Sequence, residues 1–234
     1  MIPWLGLSPA FPPVDTAQED PDGLLAAGGE LTLPWLARAY GQGIFPWFSR
    51  GEPILWWSPS ERMVLLPGQL KVSRSLDKTL RNRAYEVRCD SAFESVIRAC
   101  AGAPREGQGG TWIVDEMVDA YVALHRAGHA HSFETWMDGE LVGGLYGVAF
   151  GRMFYGESMF HRARDASKIA FVHMARHLEA NGFAMIDCQF HTPHLASLGA
   201  SLVSRQRFVA ALAGLVAQPQ PAGLWHYGYR NEPS

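Results

Sequence analysis

A chain of 234 residues, 47% hydrophobic and 18% charged, is long enough to bury one large core with room for a small second lobe, which excludes extensive disorder. A net charge of −3 excludes nucleic-acid binding through overall basicity, so any RNA contact must rest on a local patch. No apolar run reaches a membrane span, Met1-Ile2-Pro3-Trp4 does not open a signal peptide, and the three isolated cysteines Cys89, Cys100 and Cys188 fit reduced thiols in a cytoplasmic protein.

Residues 1–61 read as a small lobe rich in Pro, Gly and Trp, with little regular structure. Its one helix starts at Thr32, carries Pro34 in the first turn and stops at Gly41 and Gly43. Ile54-Leu55-Trp56-Trp57-Ser58-Pro59 reads as a short strand. Residues 62–234 read as an α+β domain. Ser91 and Glu94 have the spacing of a capping box before Phe93, Val96, Ile97 and Cys100. A second helix runs from Asp115 to Ala127 and ends at Gly128. His131 to Met137 is a strand that turns at Asp138-Gly139 into Leu141 to Phe150, and Met153 to Phe160 follows Gly151-Arg152. Ser167 can cap a helix ended by Gly182, Ala184 to Phe190 is a strand, and Ser204 can cap a last helix to Val216. The order implies a mixed sheet with a βαβ crossover near its end.

Five sets of residues could carry chemistry. Strict alternation puts Tyr155, Glu157 and Met159 on one strand face, where Glu157 is either a site carboxylate or an edge residue facing water. Asp187 and Gln189 share a face at a strand end, a frequent position for sites; a strand dissolving into a polar loop is the plain alternative. Cys188 points the other way, toward core. Phe171, Met174 and Leu178 form one apolar helix stripe, ordinary core or, with Leu145 and Met159, a pocket for an apolar side chain. Trp47 and Trp112, beside Pro and Gly, are candidate stacking platforms for a nucleobase. Between residues 71 and 88, Lys71, Arg74, Lys78, Arg81, Arg83 and Arg88 face only Asp77 and Glu86, a local +4 suited to a phosphate backbone or to a solvated face. His125, His129 and His131, like Cys188, His191 and His194, lack a zinc spacing and a completing carboxylate, so no metal is expected. No Gly-x-Ser-x-Gly elbow is present.

Nine strings occur in order: Pro21-Asp22-Gly23-Leu24-Leu25-Ala26, Gly43-Ile44-Phe45-Pro46-Trp47, Ile54-Leu55-Trp56-Trp57-Ser58-Pro59, Gly110-Thr111-Trp112-Ile113, Leu141-Val142-Gly143-Gly144-Leu145-Tyr146-Gly147, Gly156-Glu157-Ser158-Met159-Phe160, Ala166-Ser167-Lys168, Ile186-Asp187-Cys188-Gln189 and Ala196-Ser197-Leu198-Gly199-Ala200. Together they resemble the leucyl/phenylalanyl-tRNA–protein transferase family, from Phe11 to Phe208. Lys71 and His161 depart from the His and Ser expected there.

The resemblance implies a small N-terminal lobe and a C-terminal domain like the GCN5-related N-acetyltransferases, with no cofactor. It implies aminoacyl-tRNA carrying Leu or Phe, or Met, as donor, and an acceptor protein with N-terminal Arg or Lys, marked for N-end-rule degradation. It places the terminal adenosine at Trp47 and Trp112, and the donor side chain among Leu145, Met159, Phe171, Met174, Leu178 and Ile186. Arg74, Lys78, Arg81 and Arg83 of the basic run are the candidate tRNA contacts. Gln189 is expected at the reaction centre with Glu157 beside it, its NH2 group donating to Asp187 while its carbonyl oxygen accepts from the attacking amine. An acyl-CoA enzyme of the same fold would need a Gly-rich turn before the helix at Ser167, and residues 161–168 contain no Gly. A non-catalytic RNA-binding module would leave Asp187, Gln189 and Glu157 without a purpose.

Overall fold

A computed structural model describes residues 2–103 and 113–232. The chain opens with β1 (Trp4–Leu5), β2 (Leu24–Gly28), α1 (Leu33–Tyr40), β3 (Phe45–Pro46) and β4 (Leu55–Trp57). These strands form a four-stranded sheet in the order β1-β2-β4-β3. β4 falls within the strand expected at residues 54–59, while the expectation of little other regular structure here is corrected: β1, β2 and β3 exist, but at two to five residues they are too short to show periodicity.

The second sheet begins at β5 (Glu61–Leu65) and continues through α2 (Arg74–Asn82), β6 (Tyr85–Cys89), α3 (Phe93–Ala101) and α4 (Asp115–Arg126). Then come β7 (Ala130–Met137), β8 (Glu140–Phe150), β9 (Met153–His161), α5 (Ala166–Ala180), β10 (Met185–Gln189), α6 (Pro193–Ser197), β11 (Ser201–Ser204), α7 (Arg205–Val216) and β12 (Gly228–Asn231). Its eight strands run β11-β5-β10-β9-β8-β7-β6-β12. Among the described residues of this sheet only β9 and β10 pair in parallel, joined through α5 as the expected βαβ crossover. The Asp138-Gly139 hairpin forms with both residues at positive φ, 51° and 81°, the conformation a type I′ turn demands.

One local expectation fails instructively. The Ser91–Glu94 capping box does not form. The buried carboxylate of Glu134 on β7 instead accepts from the Ser91 amide and hydroxyl and from the Ala92 amide at the start of α3, while Glu94 pairs with Arg98 at 2.8 Å. A tertiary cap thus replaces the local one.

Two apolar cores flank the large sheet. One runs without interruption from the N-terminal lobe (Leu25, Trp35, Leu36, Tyr40, Phe45) to α3 and α4 (Phe93, Val96, Met117, Tyr121). The other lies between the opposite sheet face and α5, with Phe133, Leu145, Phe154, Met174, Leu178 and Ile186.

Candidate active site

The parallel pairing of β9 with β10 ends at Tyr155 and Asp187. Beyond that point both strands become irregular. On β9, Ser158 faces Tyr146 but Gly156 already faces Gly147, so Glu157 is the extra residue of a β-bulge. On β10, the register with β5 shifts between Asp187 and Gln189, and Gln189 adopts a left-handed φ of 59°. A cavity of about 450 Å³ opens where the strands part. It lies at the C-terminal end of the parallel pair, where α/β sheets bind ligands.

The bulge decides what faces the cavity. Strict alternation would keep Tyr155, Glu157 and Met159 together. The inserted residue reverses the parity, sending Tyr155 into the core shared with the N-terminal lobe and Met159 to the α5 side. Leu145, Met159, Phe171, Met174 and Ile186 therefore form one apolar wall of the cavity. Leu178 does not line it: it is fully buried in the core. Cys188, expected to turn away, does line it. Phe45, Pro46, Trp47 and Phe190 form an aromatic wall, with the Trp47 ring 5.4 Å from Phe190 and 5.3 Å from Trp57. Trp112 lies outside the described residues.

Glu157, Gln189 and Asp187 are all buried, but their wiring differs from the sequence expectation. Asp187 does not accept from the Gln189 side chain. Its carboxylate takes a bidentate pair from Arg62, Nε at 2.9 Å and Nη2 at 2.7 Å, and accepts the Gln189 backbone amide at 2.8 Å. It thereby fixes the left-handed residue rather than its side chain. Arg62 also donates to the Gly43 carbonyl at 2.8 Å and lies between the rings of Phe45 and Phe208.

The Gln189 side chain instead donates from Nε2 to Glu157 Oε1 at 3.1 Å. The Tyr40 hydroxyl donates to the same oxygen at 2.7 Å, and that of Tyr121 lies 3.4 Å from Oε2. Burial raises the Glu157 carboxyl to about 7, an effect that the Tyr40 hydrogen bond opposes and the Asp187 charge reinforces. Tyr40, Tyr121 and Arg62 were not singled out in the sequence. Each lies far along the chain from the carboxylate it meets, and an Arg in a strand otherwise reads as an edge residue.

The other expected sites fall elsewhere. Arg74, Lys78, Arg81 and Arg83 are exposed along and just after α2. Arg81 pairs with Asp77, and Arg83 donates to the Arg164 carbonyl at 3.3 Å. A carboxylate does join two of the histidines: Asp90, His125 and His131 bring ligand atoms within 4.8 Å of one another. Their contacts are already specific. Asp90 meets His131 Nδ1 at 2.7 Å, the Gly128 carbonyl lies 3.2 Å from His131 Nε2, and the Ala130 carbonyl lies 2.8 Å from His125 Nδ1. The spacing missed Asp90 because it sits across the sheet, at the end of β6.

No helix among the described residues is long and apolar enough to cross a membrane. A family model described as leucyl/phenylalanyl-tRNA protein transferase matches residues 64–213, and a model of that protein's N-terminal domain matches residues 29–60. The leucyl/phenylalanyl-tRNA–protein transferase of Chromobacterium violaceum is 67% identical over 234 residues, all of both chains. That of Aromatoleum aromaticum is 59% identical over 225 residues, 96% of this chain and 94% of its own. Among solved structures, FemX superposes with a TM-score of 0.49 at 10% identity, over 77% of this chain and 71% of that one. The two family models and the two full-length transferase relatives define an enzyme of the acyltransferase class. The chain belongs to the leucyl/phenylalanyl-tRNA–protein transferase family of aminoacyltransferases.

Proposed function

We propose that the cavity transfers Leu, Phe or Met from aminoacyl-tRNA to the N-terminal Arg or Lys of an acceptor protein in the cytoplasm, marking that protein for N-end-rule degradation. The observation that carries this reading is the meeting of an apolar wall with a buried amide–carboxylate pair in one cavity. The wall of Leu145, Met159, Phe171, Met174 and Ile186 suits an apolar donor side chain, and Trp47 on the aromatic wall suits the terminal adenine. Residues 1–61 act as the lobe that supplies Trp47 and Tyr40; residues 62–234 carry the transfer centre.

The chemistry is aminolysis of an ester. The acceptor α-amine attacks the ester carbonyl, an N–C bond forms, and the C–O bond to the ribose breaks. The amine must be neutral as it attacks. A side-chain amide is too weak a base to deprotonate it, so Gln189 positions the amine through its carbonyl oxygen while its Nε2 is held by Glu157. Glu157, with its carboxyl near 7, takes the amine proton and returns it to the leaving ribose oxygen. Asp187 acts through Arg62 and the Gln189 backbone as a positioning residue. Incubation of the protein with Leu-tRNA and an Arg-starting peptide tests the reading. It expects a peptide extended by Leu; no extension, or extension from Ile-tRNA as readily as from Leu-tRNA, rules it out.

A further inference from the structure

A second concavity, a groove of about 810 Å³, adjoins the reaction cavity and shares Met159 and His194 with it. Two helices point their N-termini into it. Ser73, Ser75 and Leu76 come from the cap and first turn of α2, and Ser167 and Lys168 from the first turn of α5. A helix N-terminus presents unpaired amides and a partial positive charge, the arrangement that binds an oxyanion. The α5 start has no side-chain cap: Asp165 occupies the N-cap position in a left-handed conformation without a capping hydrogen bond. Among the described residues, neither the Ser167 nor the Lys168 amide donates to a carbonyl.

The Ser167 side chain is an independent observation. It is 6% exposed, lines the groove, and its hydroxyl makes no hydrogen bond to any described residue. The side chain is otherwise enclosed, so its hydroxyl has no acceptor among the described residues and is left to water or to a ligand oxygen in the groove. Lys168 stands one residue on, and Arg164 and His161 line the same groove. Asp165 offsets part of this charge; its carboxylate meets Lys168 at 3.1 Å, Thr79 at 3.4 Å and Arg164 at 3.6 Å. The α2 wall adds Arg74 and Lys78, both exposed and without an ion pair among the described residues.

We propose that this groove is a phosphodiester site, holding the last internucleotide phosphate of the tRNA 3′ end between the N-termini of α5 and α2 while the esterified adenosine enters the reaction cavity. The inference rests on the transferase reading above and gives it a path. Single-stranded RNA leaving the basic α2 reaches the cavity along a groove that offers its backbone the Ser167 hydroxyl, two amides and a lysine. A phosphate contact of this kind positions the RNA backbone without reading a base.

Three donors test it with an Arg-starting peptide as acceptor: Phe-tRNA, the phenylalanyl ester of the dinucleotide cytidylyl-adenosine, and the phenylalanyl ester of adenosine, which has no phosphate. Lys168→Ala should lower kcat/KM about tenfold or more for the dinucleotide ester and less than about twofold for the adenosine ester, the loss expected from one charge-assisted hydrogen bond. Lys168→Arg should restore most of the difference, and Ser167→Ala should act in the same direction by about threefold. Equal losses for the two esters, or no loss for the dinucleotide ester, overturn the site. A changed KM for the peptide with an unchanged donor ratio overturns it in favour of the acceptor chain. A wild-type protein that transfers from none of the three donors overturns the transferase reading itself.

Discussion

The buried pair between Arg62 and Asp187 ties the site to stability. Its carboxylate is fully occupied by a guanidinium and the Gln189 amide, so Asp187→Asn leaves a cation buried without its counter-charge. Removing one partner of such a pair costs about 3–5 kcal/mol, and denaturant unfolding should show that loss together with slower single-turnover transfer. A wild-type unfolding midpoint in the variant would detach the pair from the fold. Glu157 behaves oppositely. Burial raises its carboxyl from 4.5 to about 7, so its contribution to stability is complete below the unfolded value and is lost as pH rises through about 7. Glu157→Gln should therefore gain up to about 3 kcal/mol over wild type at pH 8 but not at pH 4, while losing the rise in transfer rate near pH 7. A variant whose rate keeps that rise removes Glu157 as the base. The sequence named Glu157, Asp187 and Gln189 but not their partners. Which oxygen faces which donor depends on Tyr40, Tyr121 and Arg62, brought in from other elements.

At the scale of elements, long periodic segments were legible and short ones were not. The β7–β8–β9 meander, α4, α5 and the crossover to β10 follow from periodicity and turn residues. β6, β11 and β12, at four or five residues each, carry no such signal, and in the first sheet only β4, inside the apolar string at residues 54–59, does. The bulge in β9 escaped for a different reason: one inserted residue leaves composition unchanged while reversing which side chains face the cavity. Its consequence is testable. Met159, carried to the α5 side by the bulge, pairs across the sheet with Leu145 and faces Phe171 and Met174. A wall of this kind discriminates one methyl group by about 1–3 kcal/mol. Competition between Leu-, Phe- and Ile-tRNA should show partial rejection of Ile, eroded in Met159→Ala. Equal slowing of every donor, with ratios unchanged, would show that Met159 does not shape the donor pocket.

For the whole molecule, the C-terminal segment works as a strap across one end of the sheet. Trp225 stacks on His131 with centroids 3.5 Å apart, Tyr227 meets His173 Nδ1 at 2.7 Å, the Leu224 carbonyl meets His177 at 2.7 Å, and β12 pairs with β6. Burial, helped by the Arg176 charge, lowers His173 from 6.5 to about 4. Its contribution to stability is present above the unfolded value and is lost as pH falls from 6.5 toward 4. His173→Gln, which cannot titrate, should flatten the fall of the unfolding midpoint across that window by about 2–3 kcal/mol, read by thermal unfolding at each pH. An unchanged slope would place the acid sensitivity in another group.

The strand order has one more consequence, for how the chain is made. β5, the first strand of the large sheet, lies between β10 and β11, two of the last to be synthesised. Arg62 meets Asp187 across 125 residues of chain. A nascent polypeptide leaving the ribosome therefore carries Met63, Val64 and Leu65 as an unpaired apolar strand until most of the chain has emerged. During that interval β5 is open to aggregation and to chaperones that grip extended apolar segments. The reaction centre is assembled only when this early strand is captured by late ones, so a prematurely terminated chain that stops before β10 carries no fragment of activity.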